Sequence, residues 1–197
     1  MGAWRPLASQ PYPHLESHVC VVPHPDKVAK GGEDAYAVSR CGRVVAVADG
    51  VGGWAEHGVD PALYSRRLMN GVAEAADGGA GGGLERPVKY LERAWRGAGT
   101  VLGSSTALVA ALREDYSLEV CNVGDSAMMI VREGAILFRS EEQTHGFNFP
   151  FQLGSQGDDI STAQSYSQQL QPGDVVVLAS DGLWDNLQDD AVLEIIN

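Results

Sequence analysis

Residues Val44 to Gly53 read Val-Val-Ala-Val-Ala-Asp-Gly-Val-Gly-Gly, and the fold prediction starts from this stretch. An apolar run that stops at Asp49 is the pattern of a buried β-strand. The glycines that follow permit a tight turn in which the backbone comes close to a ligand. A carboxylate at the end of such a strand is fixed by the strand and left accessible by the loop. Asp49 is therefore a candidate for binding or for chemistry.

The same pattern, an apolar strand that ends at an acid, occurs twice more. Val-Val-Val-Leu-Ala-Ser precedes Asp181, and Leu-Glu-Val-Cys-Asn-Val-Gly precedes Asp125. Glu33 and Asp34 lie on an earlier predicted strand. Hard cations such as Mg²⁺ and Mn²⁺ prefer carboxylate oxygens. Each acid beside a glycine is also compatible with an ordinary turn, but the set as a whole predicts a metal site.

Composition restricts the classes of function that remain. The chain has 197 residues, 44% of them hydrophobic, which predicts one globular domain. Fourteen Lys and Arg against 26 Asp and Glu give a net charge of −12, which argues against nucleic acid and against anionic membranes as partners. No apolar run approaches the ~18 residues of a membrane span. The three cysteines form no CxxC pair, which favours a reducing, intracellular compartment and gives no sign of a zinc site.

The order of predicted elements indicates an α+β fold. Residues 1–18 are predicted to form an N-terminal arm and residues 19–197 the folded domain, with a glycine-rich connector at 78–83. Helices are expected from Pro61 to about 76, where Leu63, Leu68 and Val72 would lie near one face. Further helices are expected at about 84–96 and from 189 to 196. Strands are predicted at 35–40, 43–48, 106–112, 117–123, 127–132, 135–139, 162–170 and from 175.

The four strands between 106 and 139 are separated by tight turns and predict an antiparallel meander. A long loop is expected at 140–160. The pair Asp158-Asp159 lies in this predicted loop and is assigned no metal.

Five short motifs follow one another along the chain and carry a family resemblance. They are Gly32-Glu33-Asp34-Ala35, Ala48-Asp49-Gly50-Val51-Gly52-Gly53, Gly103-Ser104-Ser105-Thr106-Ala107, Asn122-Val123-Gly124-Asp125-Ser126 and Ser180-Asp181-Gly182-Leu183-Trp184-Asp185. In these motifs the chain resembles the metal-dependent protein phosphatases of type 2C. Asp-Gly-Val-Gly-Gly-Trp and the segment Phe147–Leu153 are similar to the organellar branch related to the T-cell-activation protein phosphatase homologue. The fold that this resemblance implies is two packed antiparallel β-sheets flanked by antiparallel helices.

The resemblance also implies an activity, a cofactor and a partner. The activity is hydrolysis of phosphoserine and phosphothreonine monoesters in proteins by a hydroxide bound between two Mn²⁺ or Mg²⁺ ions, with a weaker third ion. The implied partner is a phosphoprotein substrate, with no nucleic acid and no membrane insertion, and the protein is expected to be a monomer. The resemblance implies a location in the mitochondrion or the plastid. If the resemblance is set aside, a cytoplasmic location is expected.

Site residues are carried over from the matching motifs. Asp49 would bridge the two ions and the Gly50 carbonyl would bind one of them. Asp181 would bind the first ion and Glu33 the second. The remaining assignments are Asp34 to the water shell of the second ion, Asp125 to the third site and Lys30 to the phosphate; the predicted catalytic residues are Asp34, Asp49 and Asp181.

Three features depart from the family pattern. Val51 occupies the position at which many members have a His, and Ala29, next to Lys30, the position of a phosphate-binding Arg. The motif that supplies a final aspartate ligand does not occur before Asn197, so the domain is expected to be C-terminally incomplete, with reduced activity or none.

Two alternatives remain at this stage. A catalytically impaired or inactive relative would act as a phosphoprotein-binding module. A phosphatase of the haloacid-dehalogenase type also places Asp at a strand end, but Asp49-Gly50-Val51 lacks the second acid of its Asp-x-Asp motif.

Overall fold

The computed structural model describes residues 12–78 and 84–197. Most of the predicted arm and the connector at 79–83 lie outside these ranges. The strands are β1 (Asp34–Val38), β2 (Val44–Asp49), β3 (Ser104–Ser105), β4 (Ala107–Leu112), β5 (Ser117–Val123), β6 (Ala127–Arg132), β7 (Ala135–Arg139), β8 (Thr144–Gly146), β9 (Phe149–Pro150), β10 (Leu153–Gly154), β11 (Gln164–Gln169) and β12 (Val175–Ala179). The α-helices are α1 (Pro61–Asp77), α2 (Pro87–Gly97), α3 (Asp181–Trp184) and α4 (Asp189–Ile196), and short 3₁₀ helices occupy Pro25–Lys30, Gly52–His57 and Ile160–Thr162.

Two antiparallel sheets form the framework. The larger sheet has the strand order β1-β2-β4-β5-β11, and the smaller has the order β12-β6-β7. Two further pairs, β10 with β3 and β8 with β9, are short. The predicted α+β class with packed antiparallel sheets is therefore confirmed.

The hydrophobic core is built in layers. Alternate residues of β4 and β5, such as Leu108 and Leu118, pack against Met128 and Ile130 of the smaller sheet. The opposite face of the larger sheet packs against α1 and α2, and the opposite face of the smaller sheet packs against α3 and α4. Every residue of β4 is buried, as expected for a strand covered on both faces.

Helix α1 begins as its sequence predicts. Pro61 is its first residue, and the Asp60 carboxylate accepts a hydrogen bond from the Ala62 N–H at 3.1 Å. Leu68 and Val72 are buried, but Leu63 is 54% exposed, so its predicted place on the inner face is wrong. The buried stripe is 64, 68 and 72, at a spacing of four, and position 63 lies beside it.

The predicted meander is only partly correct. Strands β4 and β5 are paired, as are β6 and β7, but β5 and β6 belong to different sheets. The chain crosses between the sheets at Gly124, whose φ is +105°. A Cβ there would lie 2.6 Å from the Phe151 carbonyl oxygen, so the crossing requires glycine.

The region predicted as one long loop contains the short strands β8, β9 and β10. Helix α2 begins at Pro87, three residues later than predicted. Among the residues that the structure describes, no helix has both the length and the apolar character needed to cross a bilayer.

Replacing Asp174 by Asn tests an ion pair that closes the turn before β12. The Asp174 carboxylate is 2% exposed and accepts two hydrogen bonds of 2.8 Å from Arg132, which lower its pKa from 3.8. We expect Asp174→Asn to lower the free energy of unfolding by about 1 kcal/mol and not several, because the 25% exposed guanidinium of Arg132 is screened by water.

Because folding depresses this pKa, the stabilisation exists above pH ~4 and disappears as the pH falls through the folded-state pKa. Thermal unfolding at pH 7 and pH 3 measures it. Glu85→Gln, which breaks an exposed ion pair with Arg93, is the control. It should lower the free energy of unfolding by less than Asp174→Asn does. An Asp174→Asn effect that does not shrink in acid would contradict the ion-pair explanation.

Candidate active site

The register of β1 against β2 sets the first half of the site. Asp34 and Asp49 are directly opposite each other in this antiparallel ladder. Opposite residues share one face of the sheet, with Cβ atoms about 5 Å apart. Two acids at that spacing repel each other unless a proton or a cation lies between them.

The smaller sheet supplies the second half. Asp125 lies two residues before β6 and Asp181 two residues after β12, and these strands pair with Ala127 opposite Ala179. The two acids therefore lie at the same end of this ladder. Burial, followed by the negative charge of Asp181, raises the pKa of Asp125 to about 6.

The two halves meet at Asp49. The pKa of Asp49 is raised to about 9. Burial is the largest cause, and the negative charges of Asp34, Asp181 and Asp125 add to it. The pKa of Asp34 is also raised, chiefly by burial, although a hydrogen bond from Ser180 opposes the shift. Carboxylates from both sheets thus share one buried, electronegative region.

Buried hydroxyl groups hold the Asp49 backbone. The Asp49 N–H donates to Thr106 Oγ1 at 3.0 Å, and Ser105 Oγ donates to the Asp49 carbonyl at 2.7 Å. Thr106 Oγ1 also lies 2.8 Å from Ser126 Oγ, next to Asp125. These contacts connect the acid of the larger sheet to the chain that enters the smaller one. They occupy the hydroxyl groups of Ser105, Thr106 and Ser126.

Gly50 lets the next segment approach Asp49. A Cβ on Gly50 would lie 2.5 Å from the Pro61 carbonyl oxygen and 2.9 Å from that of Glu33. The Gly50 N–H donates to the Glu33 carbonyl at 3.2 Å, and Ser65 Oγ donates to the same oxygen at 2.5 Å. Glu33 is therefore held beside the loop that follows Asp49.

The lysine at this site is Lys27 and not Lys30. Lys27 Nζ donates to Glu33 Oε2, and Lys27 lines the groove that passes Asp49, Asp125 and Asp181. Lys30 is exposed and does not line this groove. Sequence reasoning missed Lys27 because it is six residues before Glu33 and outside the matching motif.

A short hairpin borders the same groove. The Gln143 N–H donates to the Gly124 carbonyl at 2.9 Å, which anchors the root of the hairpin next to Asp125. His145 Nε2 lies 2.9 Å from Asp158 Oδ1, and the His145 ring stacks on Phe151. At the tip, Phe147 is fully exposed, and Asn148 and Pro150 line the groove.

The donor set fits a divalent cation by its chemistry. Within residues 12–78 and 84–197, no three His, Cys, Asp or Glu side chains are arranged around one point closely enough to enclose an ion. In this arrangement Glu33 pairs with Lys27, and the negative charge of Asp181 helps to raise the pKa of Asp49. A divalent ion could take the place of Lys27 at Glu33. It would also stabilise the ionised form of Asp49, because a carboxyl group whose pKa is raised by neighbouring acids gains most from a nearby positive charge.

Comparison with known proteins identifies the family. The family model for stage II sporulation protein E (SpoIIE) matches residues 42–196. The chain is 44% identical over 184 residues to the probable protein phosphatase 2C 55 of Arabidopsis thaliana, covering 92% of this chain and 39% of that protein. Its structure matches the X-ray structure of the photosystem II phosphatase PBCP with a TM-score of 0.83, over 89% of this chain and 69% of that one. The two sequences are 37% identical. The chain belongs to the type 2C protein phosphatase family.

The relatives carry more sequence than this chain aligns with. The chain spans 39%, 61% and 44% of the lengths of three plant type 2C relatives from Arabidopsis thaliana. A more distant solved structure, the catalytic domain of serine/threonine protein phosphatase PstP in complex with two manganese ions, is 20% identical. It matches with a TM-score of 0.63 over 82% of this chain and 76% of its own, and it supports the fold assignment alone.

Replacing Asp49 by Asn tests the charge balance of this type 2C site. Folding raises the pKa of Asp49 from 3.8 to about 9, so the native state binds a proton that the unfolded chain releases above pH ~4. In EDTA the folded protein therefore loses stability as the pH rises from about 4 towards 9. We expect Asp49→Asn to remove this cost, so that its melting temperature in EDTA exceeds that of the wild type by more at pH 8 than at pH 6.

Glu114→Gln serves as the matched control, because it removes one negative charge from an exposed turn. It should change the melting temperature little. An Asp49→Asn protein that is less stable than the wild type at pH 8 would contradict the predicted repulsion.

Proposed function

We propose that this chain is a Mn²⁺- or Mg²⁺-dependent serine/threonine protein phosphatase. The observation that carries the proposal is the meeting of Asp34 and Asp49 from one sheet with Asp125 and Asp181 from the other in a buried region. Membership of the type 2C family and the names of its relatives support the same activity.

The proposed roles follow the position of each group. Asp49 would contact both ions, because it lies close enough to the other three aspartates for the charge of each to raise its pKa. Asp181 would bind the first ion, with the Gly50 carbonyl, and Glu33 the second. Asp34 would orient a water beside Glu33, and Asp125 would serve a weaker third site. Two bound divalent ions supply a water of lowered pKa and neutralise charge on phosphoryl oxygens.

The chain's own groups would bind and orient the substrate, and the buried cysteine gives no sign of forming a covalent intermediate. Cys121 is buried and its thiol pKa is raised to about 12, so it is not a thiolate at neutral pH. Ser105 and Thr106 hydroxyls are engaged with the Asp49 backbone. These contacts support direct attack by water on phosphorus. We assign phosphate contact to Lys27 in place of Lys30, because Lys27 lines the groove.

The proposed substrate is a phosphorylated protein segment. The groove has a volume of about 2090 Å³, which exceeds the size of a typical small-ligand pocket. The chain carries a net charge of −12, so attraction between net charges would not hold a phosphoprotein there. Exposed apolar groups such as Phe147 could supply that contact instead.

The remaining assignments are also proposals. Residues 19–197 would form the catalytic domain, with residues 1–18 as an arm, and the protein would act as a monomer. Similarity to a photosystem II phosphatase supports a plastid location among the organellar alternatives. Light scattering and imaging of a fluorescent fusion test these two points.

Hydrolysis of p-nitrophenyl phosphate tests the activity. We expect the chain to hydrolyse this ester with Mn²⁺ and to lose the activity in EDTA. Asp49→Asn and Asp181→Asn should abolish turnover, and Asp34→Asn should lower it about 10- to 100-fold if it orients a metal-bound water. Mn²⁺ should also raise the melting temperature of the wild type but not that of Asp49→Asn.

Two other outcomes have distinct meanings. A folded chain that binds Mn²⁺ and a phosphopeptide without turnover would support the phosphoprotein-binding module. A chain whose activity persists in EDTA or in Asp49→Asn would exclude the proposed mechanism.

Replacing Phe147 by Ala tests the proposed protein substrate. Phe147 is 104% exposed beside the groove, so its loss should leave hydrolysis of p-nitrophenyl phosphate unchanged. The KM for a phosphoprotein should rise about fivefold, because the variant loses the apolar contact that the Phe147 ring would make with the bound substrate. Ile195→Ala, which removes a 74% exposed side chain from α4, is the control. Equal effects of Phe147→Ala on both substrates, or no effect on either, would refute this role.

A further inference from the structure

The ion pair between Lys27 and Glu33 occupies one of the acids to which the proposed function assigns a metal ion. Lys27 Nζ donates to Glu33 Oε2, and the Glu33 side chain is only 14% exposed. A Cβ placed on Gly52 would lie 3.5 Å from Glu33 Oε2 and 3.6 Å from Lys27 Nζ. The pair therefore lies against the glycine loop that follows Asp49.

Lys27 combines a fixed backbone with a flexible side chain. Its N–H donates to the His24 carbonyl at 2.8 Å, and its carbonyl accepts from the Gly32 N–H at 3.2 Å. Pro25 at the start of this 3₁₀ helix restricts the backbone further. The side chain has a flexible four-carbon stem, and 41% of it is exposed. The ammonium group can thus move several ångströms while its Cα stays in place.

Positive charge is scarce along this groove. Of the described residues that line it, Lys27 is the one Lys or Arg, whereas Glu33, Asp34, Asp49, Asp125 and Asp181 all border it. The charge of Lys27 also acts on Asp34, whose pKa it lowers against the larger effect of burial. An ammonium ion and a divalent ion in this region would compete for the same carboxylate oxygen.

We propose that Lys27 is a tethered cation that competes with the divalent metal ion for Glu33 and is released into the groove when the metal ion binds. The inference rests on the proposed function for the identity of the metal. It adds an order of events, in which metal binding precedes phosphate binding because the metal frees the ammonium group. Before that release, Lys27 is engaged with Glu33 and is not available to a phosphoryl oxygen.

Mn²⁺ binding to the full chain tests the competition without any measurement of turnover. Lys27→Met removes the charge and keeps the length of the side chain. We expect it to bind Mn²⁺ about tenfold more tightly than the wild type in titration calorimetry, because Glu33 no longer has a competing partner. Lys30→Met removes the same charge three residues away and should change the Mn²⁺ affinity less than about twofold. Lys27→Arg should keep the competition.

Weaker Mn²⁺ binding by Lys27→Met would mean that Lys27 positions Glu33 for the metal, and equal gains in Lys27→Met and Lys30→Met would mean a general charge effect. Either result overturns the proposal.

A second titration tests the release. Mn²⁺ should increase the affinity of the wild type for inorganic phosphate by a larger factor than it does for Lys27→Met. Equal factors in the two proteins would overturn the proposed order. Hydrolysis of p-nitrophenyl phosphate is measured separately, so a chain that shows the exchange but no turnover would refute the phosphatase activity and leave the exchange standing.

Discussion

Carboxylates from two sheets share one buried region, and their repulsion has to be balanced by protons, by Lys27 or by bound cations. Asp49 is the centre of this region, because it faces Asp34 across β1 and β2 and is also close to Asp181. The surrounding structure holds the acids against that repulsion through the Ser105 and Thr106 contacts and the close approach at Gly50. Stability and cation binding are therefore linked through the same side chains.

Local patterns in the sequence were enough to predict the elements that carry the site. The run before Asp49 is continuously apolar and stops at the acid, so β2 was predictable to within one residue. Asp60 followed by Pro61 predicted the start of α1 correctly. The strands β5, β6 and β7 have the predicted bounds, because turn residues separate them. The acids themselves were found as acids at predicted strand ends, and the family motifs supplied their expected roles. The structure brings Asp34, Asp49, Asp125 and Asp181 together.

The failures have a common cause, which is that a short segment does not show the contacts its residues make in the folded chain. The turn at Gly124 looks like a hairpin turn, but the chain leaves one sheet there and enters the other. Leu63 fits a helical period, but the face of α1 that packs on the sheet begins one residue later, at Tyr64. Lys27 reaches Glu33 through the fold of a 3₁₀ helix, so the motif that begins at Gly32 gave no sign of it.

The crossing at Gly124 also makes the spacing of the acids a property of the contact between the two sheets. Within each sheet, ladder hydrogen bonds fix Asp34 against Asp49 and the strand ends at Asp125 and Asp181 against each other. Between the sheets, the contacts are mainly apolar and have no preferred direction. A small sliding motion of one sheet over the other would change the distance between the two pairs without breaking a ladder hydrogen bond. Core side chains such as Leu118 and Met128, which carry no charge themselves, would then tune the geometry of the site mechanically.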